Sequence, residues 1–237
     1  MGMAESTYVQ RFSRPERGLH WANAVAFFGM LVTGVALYLP GLAGAFGSRG
    51  AVKTVHLAIA AAWICVLLVV VATSDRAALL RTAREIERLG PNDVRWLTGR
   101  GGPQGRFNAG QKAHAIAQAA FAVLFTTSGL LLWFGERDTS LRLPGTIVLH
   151  DGLTVLASVL VAAHLFLALV WPTTRPALRG MLRGTVRRDW ASEHHATWVP
   201  LSQPTRDAPP SAWVSPGTWA LLALAAAVAA IAAVELT

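Results

Sequence analysis

Histidines interrupt four long apolar stretches of this 237-residue chain, and four of them are the strongest candidates for chemistry: His20, His56, His150 and His164. Ionisable side chains are rare in membrane-length apolar segments, because burying them in hydrocarbon is costly, and they usually serve a function. A neutral imidazole offers one lone pair to a metal, and two imidazoles can hold a haem iron from its two faces. The residue types therefore predict haem ligation.

The spacing on the fourth apolar stretch indicates two binding levels. His150 and His164 are separated by fourteen residues. At about 100° per residue this is roughly 40° short of four helical turns, so both residues lie on one face of a helix. At a rise of about 1.5 Å per residue they are about 21 Å apart along its axis. They cannot bind one metal ion together, and each needs a partner from another helix.

The chain is 53% hydrophobic and 14% charged, which is typical of an integral membrane protein. Basic residues flanking membrane spans explain its net charge of +8, so no nucleic-acid partner is predicted. Five apolar runs are long enough to cross a bilayer, at about 19–40, 52–73, 110–134, 145–171 and 216–236. We predict an all-α membrane protein. A four-helix transmembrane bundle holding two b haems covers residues 1–198, a Pro-rich linker follows at 199–215, and a fifth transmembrane helix covers 216–236.

The basic residues predict the orientation. Of the 21 Lys and Arg residues, seventeen lie in the segments 1–18, 74–112 and 172–215, and four lie in 41–53 and 135–144. Cytoplasmic loops are enriched in Lys and Arg, so the N-terminus and the two long basic segments are predicted to be cytoplasmic.

This orientation predicts the pairing. His20 and His164 lie toward the cytoplasm, whereas His56 and His150 lie toward the outer face. Pairing His20 with His56 would join opposite ends of antiparallel helices and is excluded. Two imidazole pairs predict two b-type haems, with no C-x-x-C-H motif for covalent attachment and Cys65 as the single cysteine. A zinc or copper site fits less well, because the pairs lack carboxylate or thiolate companions.

Three further histidines lie outside these two pairs. His114 opens the third span at the level of His20 and His164, where an axial, propionate-binding or pocket-lining role stays open. His194 and His195 lie in a polar tail, and we expect them to contact solvent or a partner.

Three stretches resemble the cytochrome b (gamma) subunit of respiratory formate dehydrogenase, a di-haem membrane cytochrome b. They are RFSRPERGLHWANAVAFFGMLVTG, GRFNAGQKAHA and HLFLALVWPTTRPALRGMLRGTVRRDWASEHHATW, and with the histidine layout they cover about residues 10–198. The FNAGQK element and the W-A-x-x-H-H tail are specific to that family. The four-histidine plan is also found in the cytochrome b subunits of nickel–iron hydrogenases and thiosulfate or polysulfide reductases, which are the alternative.

The resemblance implies an electron-transfer subunit of a formate:quinone oxidoreductase complex, without formate-oxidising chemistry of its own. It implies an iron–sulfur (beta) partner, a catalytic molybdenum or tungsten (alpha) partner, and a multi-pass location in the bacterial inner membrane. Its axial ligands match His20, His56, His150 and His164. Its pocket for menaquinone or ubiquinone matches His164, Asn108 and Gln111, and Gly110 would let the quinone ring approach the backbone. Asn108 could instead simply cap the third helix.

The fifth span departs from the family, whose members usually have four. A haem-free membrane anchor or transporter, in which the histidines bridge helices, remains the alternative of another class. A stand-alone haem-dependent reductase would require a nucleotide-binding domain or an exposed substrate pocket, and the sequence indicates neither.

Overall fold

The computed structural model describes residues 7–198, most of which are helical. Helices and strands follow in the order β1 (Tyr8–Gln10), α1 (Arg14–Tyr38), α2 (Pro40–Ala45), α3 (Arg49–Thr73), α4 (Arg76–Glu87), α5 (Pro91–Leu97), α6 (Ala109–Gly135), α7 (Thr146–Leu165), α8 (Leu178–Arg183), β2 (Thr185–Arg187) and α9 (Arg188–His194). Short 3-10 turns cover Thr139–Leu141 and Arg175–Ala177. A π-helical turn, Phe166–Val170, extends α7.

Four helices of the described chain are long and apolar enough to cross a membrane: Arg14–Tyr38, Arg49–Thr73, Ala109–Gly135 and Thr146–Val170. They coincide with the first four predicted spans, so this part of the prediction is confirmed. The linker predicted at 199–215 and the fifth span at 216–236 lie outside the described residues.

The first helix begins five residues before its predicted span because its polar start is capped. The Ser13 hydroxyl accepts a bond from the Glu16 backbone N–H, and the Glu16 carboxylate accepts one from the Ser13 N–H at 2.7 Å. This reciprocal capping box satisfies two backbone donors that a helix start leaves open. Pro15 lies in the first turn, where a missing N–H costs nothing.

Residues 13–79 form one compact unit built on the antiparallel pair α1 and α3. Trp63 Nε1 donates to Asn23 Oδ1 at 2.6 Å. Further along α1, a Cβ placed on Gly29 would lie 3.1 Å from the Ile59 side chain, so the missing side chain permits the close helix contact. The two helices therefore run antiparallel, as in a helical hairpin.

The second compact unit contains residues 7–12 and 80–198, with α6 and α7 as its antiparallel pair. At the turn between them, Arg142 Nε donates to the Gly135 carbonyl at 2.6 Å. The π-helical turn ends at Trp171, whose N–H bonds to the Phe166 carbonyl at 3.0 Å. Pro172 follows and cannot continue the helical hydrogen bonding.

Segments from both ends of the described chain form a small module in this second unit, which we call the terminal module (residues 7–12 and 178–198). Strands β1 and β2 pair antiparallel, with Val9 opposite Val186. These two valines pack with Trp190 and Ala191 in a buried core. The sequence analysis predicted neither strand, since three residues are too few to show alternation.

Candidate haem and quinone sites

His56 lies near the start of α3 and faces a hydroxyl on α1. Its Nδ1 is 2.8 Å from Thr33 Oγ1, which also bonds to the Gly29 carbonyl one turn earlier at 2.8 Å. A Cβ placed on the neighbouring Gly34 would lie 3.6 Å from His56 Cε1, the ring carbon between the two nitrogens. The hairpin therefore binds Nδ1 of the ring and places a glycine next to the imidazole.

His150 lies near the start of α7 in the same kind of setting on the second hairpin. Its Nδ1 is 2.9 Å from Ser128 Oγ, which bonds to the Leu124 carbonyl at 2.7 Å. A Cβ on the neighbouring Gly129 would lie 3.7 Å from His150 Cε1. Phe125 packs edge-on against the imidazole, with ring centroids 5.3 Å apart. In both hairpins, the Nδ1 atom of a histidine therefore lies against a hydroxyl of the preceding long helix.

The remaining intramembrane histidines lie at the opposite ends of their hairpins. In the second unit, the rings of His114 and His164 stack with centroids 4.9 Å apart and planes 11° apart. In the first unit, His20 lies near the start of α1, edge-on to Trp21 with centroids 5.4 Å apart. His114 therefore contacts a predicted ligand directly. The predicted pairs His20–His164 and His56–His150 each join residues of different units and stay predictions.

The predicted quinone residues Asn108 and Gln111 form a reciprocal cap at the start of α6. Asn108 Oδ1 accepts from the Gln111 N–H at 2.9 Å, and Gln111 Oε1 accepts from the Asn108 N–H at 3.1 Å. Because both partners are donors, each bond identifies the amide oxygen. The simpler expectation, that Asn108 caps this helix, is therefore confirmed, and the cap uses the oxygens of both amides.

Gly110 packs closely against a tryptophan. A Cβ at this position would lie 3.2 Å from Cζ3 and Cη2 of Trp96, which belongs to α5. The missing side chain therefore makes room for the indole ring. A quinone contact at Gly110 stays a prediction.

Arg11 is buried beside this cap, and the sequence analysis did not single it out. Its Nη2 donates to Gln111 Oε1 at 3.1 Å and to the Arg106 carbonyl at 2.8 Å. Its guanidinium lies over the rings of Phe12 and Trp190, at 5.1 and 5.4 Å. Burial and the charge of Arg106 lower the pKa of Arg11 to about 10, so it is a cation at neutral pH.

The expectation for His195 is wrong. The residue is 1% exposed rather than in contact with solvent, and its Nδ1 donates to the Gly105 carbonyl at 2.6 Å. Trp190 and Trp198 cover its ring, because the polar tail folds back as the terminal module. Burial and the nearby Arg11 charge lower the pKa of His195 to about 4.

The sequence matches the profile of the prokaryotic cytochrome b561 family over residues 11–184. This stretch covers almost three quarters of the chain and contains all four membrane-length helices. The chain belongs to this family. Prokaryotic cytochromes b561 bind haem b, and the matched stretch includes all five intramembrane histidines.

Several relatives of the chain are formate dehydrogenase subunits. The cytochrome b556(fdo) subunit of formate dehydrogenase from Escherichia coli K12 is 24% identical over 201 residues, covering 80% of this chain and 91% of the relative. The nitrate-inducible cytochrome b556(Fdn) subunit from the same organism is 21% identical, covering 83% and 92%. The cytochrome b556 subunit of formate dehydrogenase from Haemophilus influenzae is 26% identical, covering 83% and 84%.

The hairpins of this cytochrome b561 suit a haem b. Ligating histidines usually donate their second ring nitrogen to a protein acceptor, and His56 and His150 both place Nδ1 against a hydroxyl. Coordination would then use Nε2. Glycine at positions 34 and 129 keeps a side chain away from the Cε1 edge of each ring.

Proposed function

We propose that this chain is the cytochrome b subunit of a formate dehydrogenase complex and passes electrons from an iron–sulfur subunit to quinone by way of two haems b. The observation that carries the proposal is the repeated setting of His56 and His150, each bound at Nδ1 by a hydroxyl of the preceding long helix. The named relatives, which align over at least 80% of this chain, support the choice of complex.

We assign His56 and His150 to the haem at the outer side, and His20 and His164 to the haem at the cytoplasmic side. Held by these histidine pairs, haem b would supply one-electron transfer. The protein must hold the rings neutral and oriented, and bonds such as those of Thr33 and Ser128 do this.

We place quinone binding at the start of α6, beside His164, with Asn108 and Gln111 as hydrogen-bond donors. Because the helix cap uses both amide oxygens, the groups left for a ligand are Asn108 Nδ2 and Gln111 Nε2. A quinone carbonyl can only accept hydrogen bonds and therefore matches two N–H donors. Gly110 contributes by seating Trp96 against the same turn.

Arg11 supports this assignment by fixing the Gln111 amide. Its guanidinium donates to Gln111 Oε1, so flipping the amide would set Nε2 against a cation and against the Asn108 N–H. Among the described residues no carboxylate pairs with Arg11. Its positive charge therefore favours an electron-rich carbonyl oxygen nearby.

The Lys and Arg distribution supports a multi-pass location in the bacterial inner membrane with a cytoplasmic N-terminus. The quinone residues and His164 then lie toward the cytoplasm. The complex is proposed to include an iron–sulfur subunit and a catalytic molybdenum or tungsten subunit, and the quinone is menaquinone or ubiquinone.

Haem quantification on the purified complex tests the ligand assignment. We expect about two haems b per chain by pyridine haemochrome, and about one in His56→Ala and in His164→Ala. His194→Ala, in the terminal module, is the matched control and should keep both haems. Absence of haem, or two haems retained in His56→Ala, would overturn the assignment.

Isolation of the complex through a tag on this chain tests the choice of partner. Formate:quinone reductase activity and a co-purified iron–sulfur subunit are expected. A complex that oxidises hydrogen or reduces thiosulfate instead would reject formate dehydrogenase while leaving the haem assignment intact.

A further inference from the structure

We propose that Thr33 and Ser128 are positioning residues that hold His56 and His150 in the tautomer protonated at Nδ1, so that Nε2 carries the lone pair for iron. The inference rests on the proposed ligation by these two histidines. It goes further by assigning the tautomer to two hydroxyls, and by placing the same device in each of two hairpins.

The argument starts from the single proton of a hydroxyl. Thr33 Oγ1 lies 2.8 Å from the Gly29 carbonyl and 2.8 Å from His56 Nδ1. A carbonyl can only accept, so the Thr33 proton goes to Gly29. The hydroxyl then meets the imidazole with a lone pair, and His56 Nδ1 must donate.

Ser128 repeats this allocation in the other unit. Its Oγ lies 2.7 Å from the Leu124 carbonyl and 2.9 Å from His150 Nδ1. Ser128 is only 1% exposed, so water does not compete for its hydroxyl. The opposite allocation, with the hydroxyl proton on the ring side, would put the imidazole proton on Nε2 and prevent coordination.

A hydroxyl that donates to a backbone carbonyl of its own helix is not for that reason a positioning residue. Hydroxyls in apolar helices often donate to the carbonyl four residues earlier. Thr126 does so to Ala122 at 2.7 Å, and Ser158 to Thr154 at 2.7 Å, with no imidazole on the other side in the described chain. Thr33 and Ser128 differ because the register of each hairpin places a histidine ring against the oxygen.

The expected consequence concerns the haem as well as the fold. An acceptor on Nδ1 raises the basicity of the ligating nitrogen and fixes the ring plane. A more basic ligand favours the ferric state, so the hydroxyl lowers the midpoint potential of the haem. Losing the acceptor should raise that potential and weaken haem retention, typically by about 10–100-fold for such supporting residues.

The test uses the intact complex with Thr33→Val and Ser128→Ala, both of which remove the hydroxyl with little change in volume. Thr33→Ser, which keeps the hydroxyl, should behave like the parent protein. Thr126→Val, on the same helix as Ser128, is the matched control for loss of a back-bonded hydroxyl. Potentiometric titration gives the midpoint potential of each haem, and dilution with a haem acceptor gives retention.

We expect the outer haem of Thr33→Val and Ser128→Ala to shift to a more positive potential and to dissociate faster, while the cytoplasmic haem and Thr126→Val stay unchanged. Unchanged potential and retention in both variants would overturn the positioning role while leaving the ligands in place. Two haems in His56→Ala would instead mean that the ligand assignment itself fails, so the two failures are distinguishable.

Discussion

The two hairpins are alike at one end and different at the other. At the end with His56 and His150, each hairpin sets a hydroxyl and a glycine of one helix against an imidazole of the next. At the end with His20 and His164, the first hairpin has an edge-on contact between His20 and Trp21, whereas the second stacks two imidazoles. The end that the two hairpins share, with His56 and His150, is suited to orienting a histidine ring.

The differing end of the second hairpin is where we propose quinone binding. Asn108 and Gln111 cap α6 there, and the ion pair of Lys112 and Asp93, 2.9 Å apart, ties α5 to the same turn. We propose haem binding in both hairpins and quinone binding in the second alone.

The largest effect should come from separating the two stacked histidines. His164→Ala should remove the cytoplasmic haem, because one axial nitrogen is lost, whereas His114→Ala should keep two haems per chain. Pyridine haemochrome quantification on the complex measures both. Loss of haem from His114→Ala with retention in His164→Ala would exchange the roles of the two rings.

Gln111→Glu should affect quinone without affecting the helix cap. The carboxylate still accepts from the Asn108 N–H and from Arg11, but it cannot donate to a quinone carbonyl. Loss of one such bond is worth about 1.5 kcal/mol, so KM for quinone should rise about tenfold. Steady-state quinone reduction measures this change.

The haem spectrum and haem reduction by formate serve as the control for Gln111→Glu and should be unchanged. An unaltered KM would remove Gln111 from the quinone site. Loss of haem would show that the substitution disturbs the hairpin as a whole.

Gly110→Ala should loosen the packing of Trp96, on α5, against the start of α6. The new methyl would lie 3.2 Å from two atoms of Trp96, closer than ordinary contact, and overpacking of this kind costs about 1–3 kcal/mol. Hydrogen exchange of α5 amides should accelerate. Gly152→Ala on α7 is the matched control, since among the described residues nothing outside its own helix backbone lies within 4 Å of the added methyl.

The sequence was sufficient to predict the four spans and the intramembrane histidines. Spans extend over about 20 apolar residues, so hydropathy reports them strongly. It could not predict β1 and β2, because each has three residues and their pairing depends on the terminal segments meeting. The cap formed by Asn108 and Gln111 has a sequence signature, a capping pair three residues apart, of which the sequence analysis predicted the Asn108 half.

Thr33 and Ser128 were missed for a different reason. Hydroxyl residues are common in apolar helices, and most bond only to their own backbone. Their partners, His56 and His150, lie 23 and 22 residues further along, and only the register of each hairpin brings them together. The recurring hydroxyl–glycine dipeptide, Thr33–Gly34 and Ser128–Gly129, was the available signal.

The smallest effect concerns the terminal module, which belongs to the second unit alone and should loosen in acid through His195. The pKa of His195 is about 4 in the folded module and about 6.5 in an unfolded chain. Between these values the unfolded form binds a proton that the folded form excludes. Stability is therefore intact above about pH 6.5 and falls toward pH 4, by at most about tenfold in the opening equilibrium per pH unit.

Protection factors of the β1 and β2 amides, measured by hydrogen exchange between pH 7 and pH 5, follow this opening. His195→Gln can still donate to the Gly105 carbonyl but does not titrate, so its protection should be nearly independent of pH in this range. A slope that persists in His195→Gln would assign the acid sensitivity to another group. Protection factors that do not change with pH in the parent protein would contradict this prediction. They would mean that the imidazole takes up its proton without opening the module, although Trp190 and Trp198 pack against its ring.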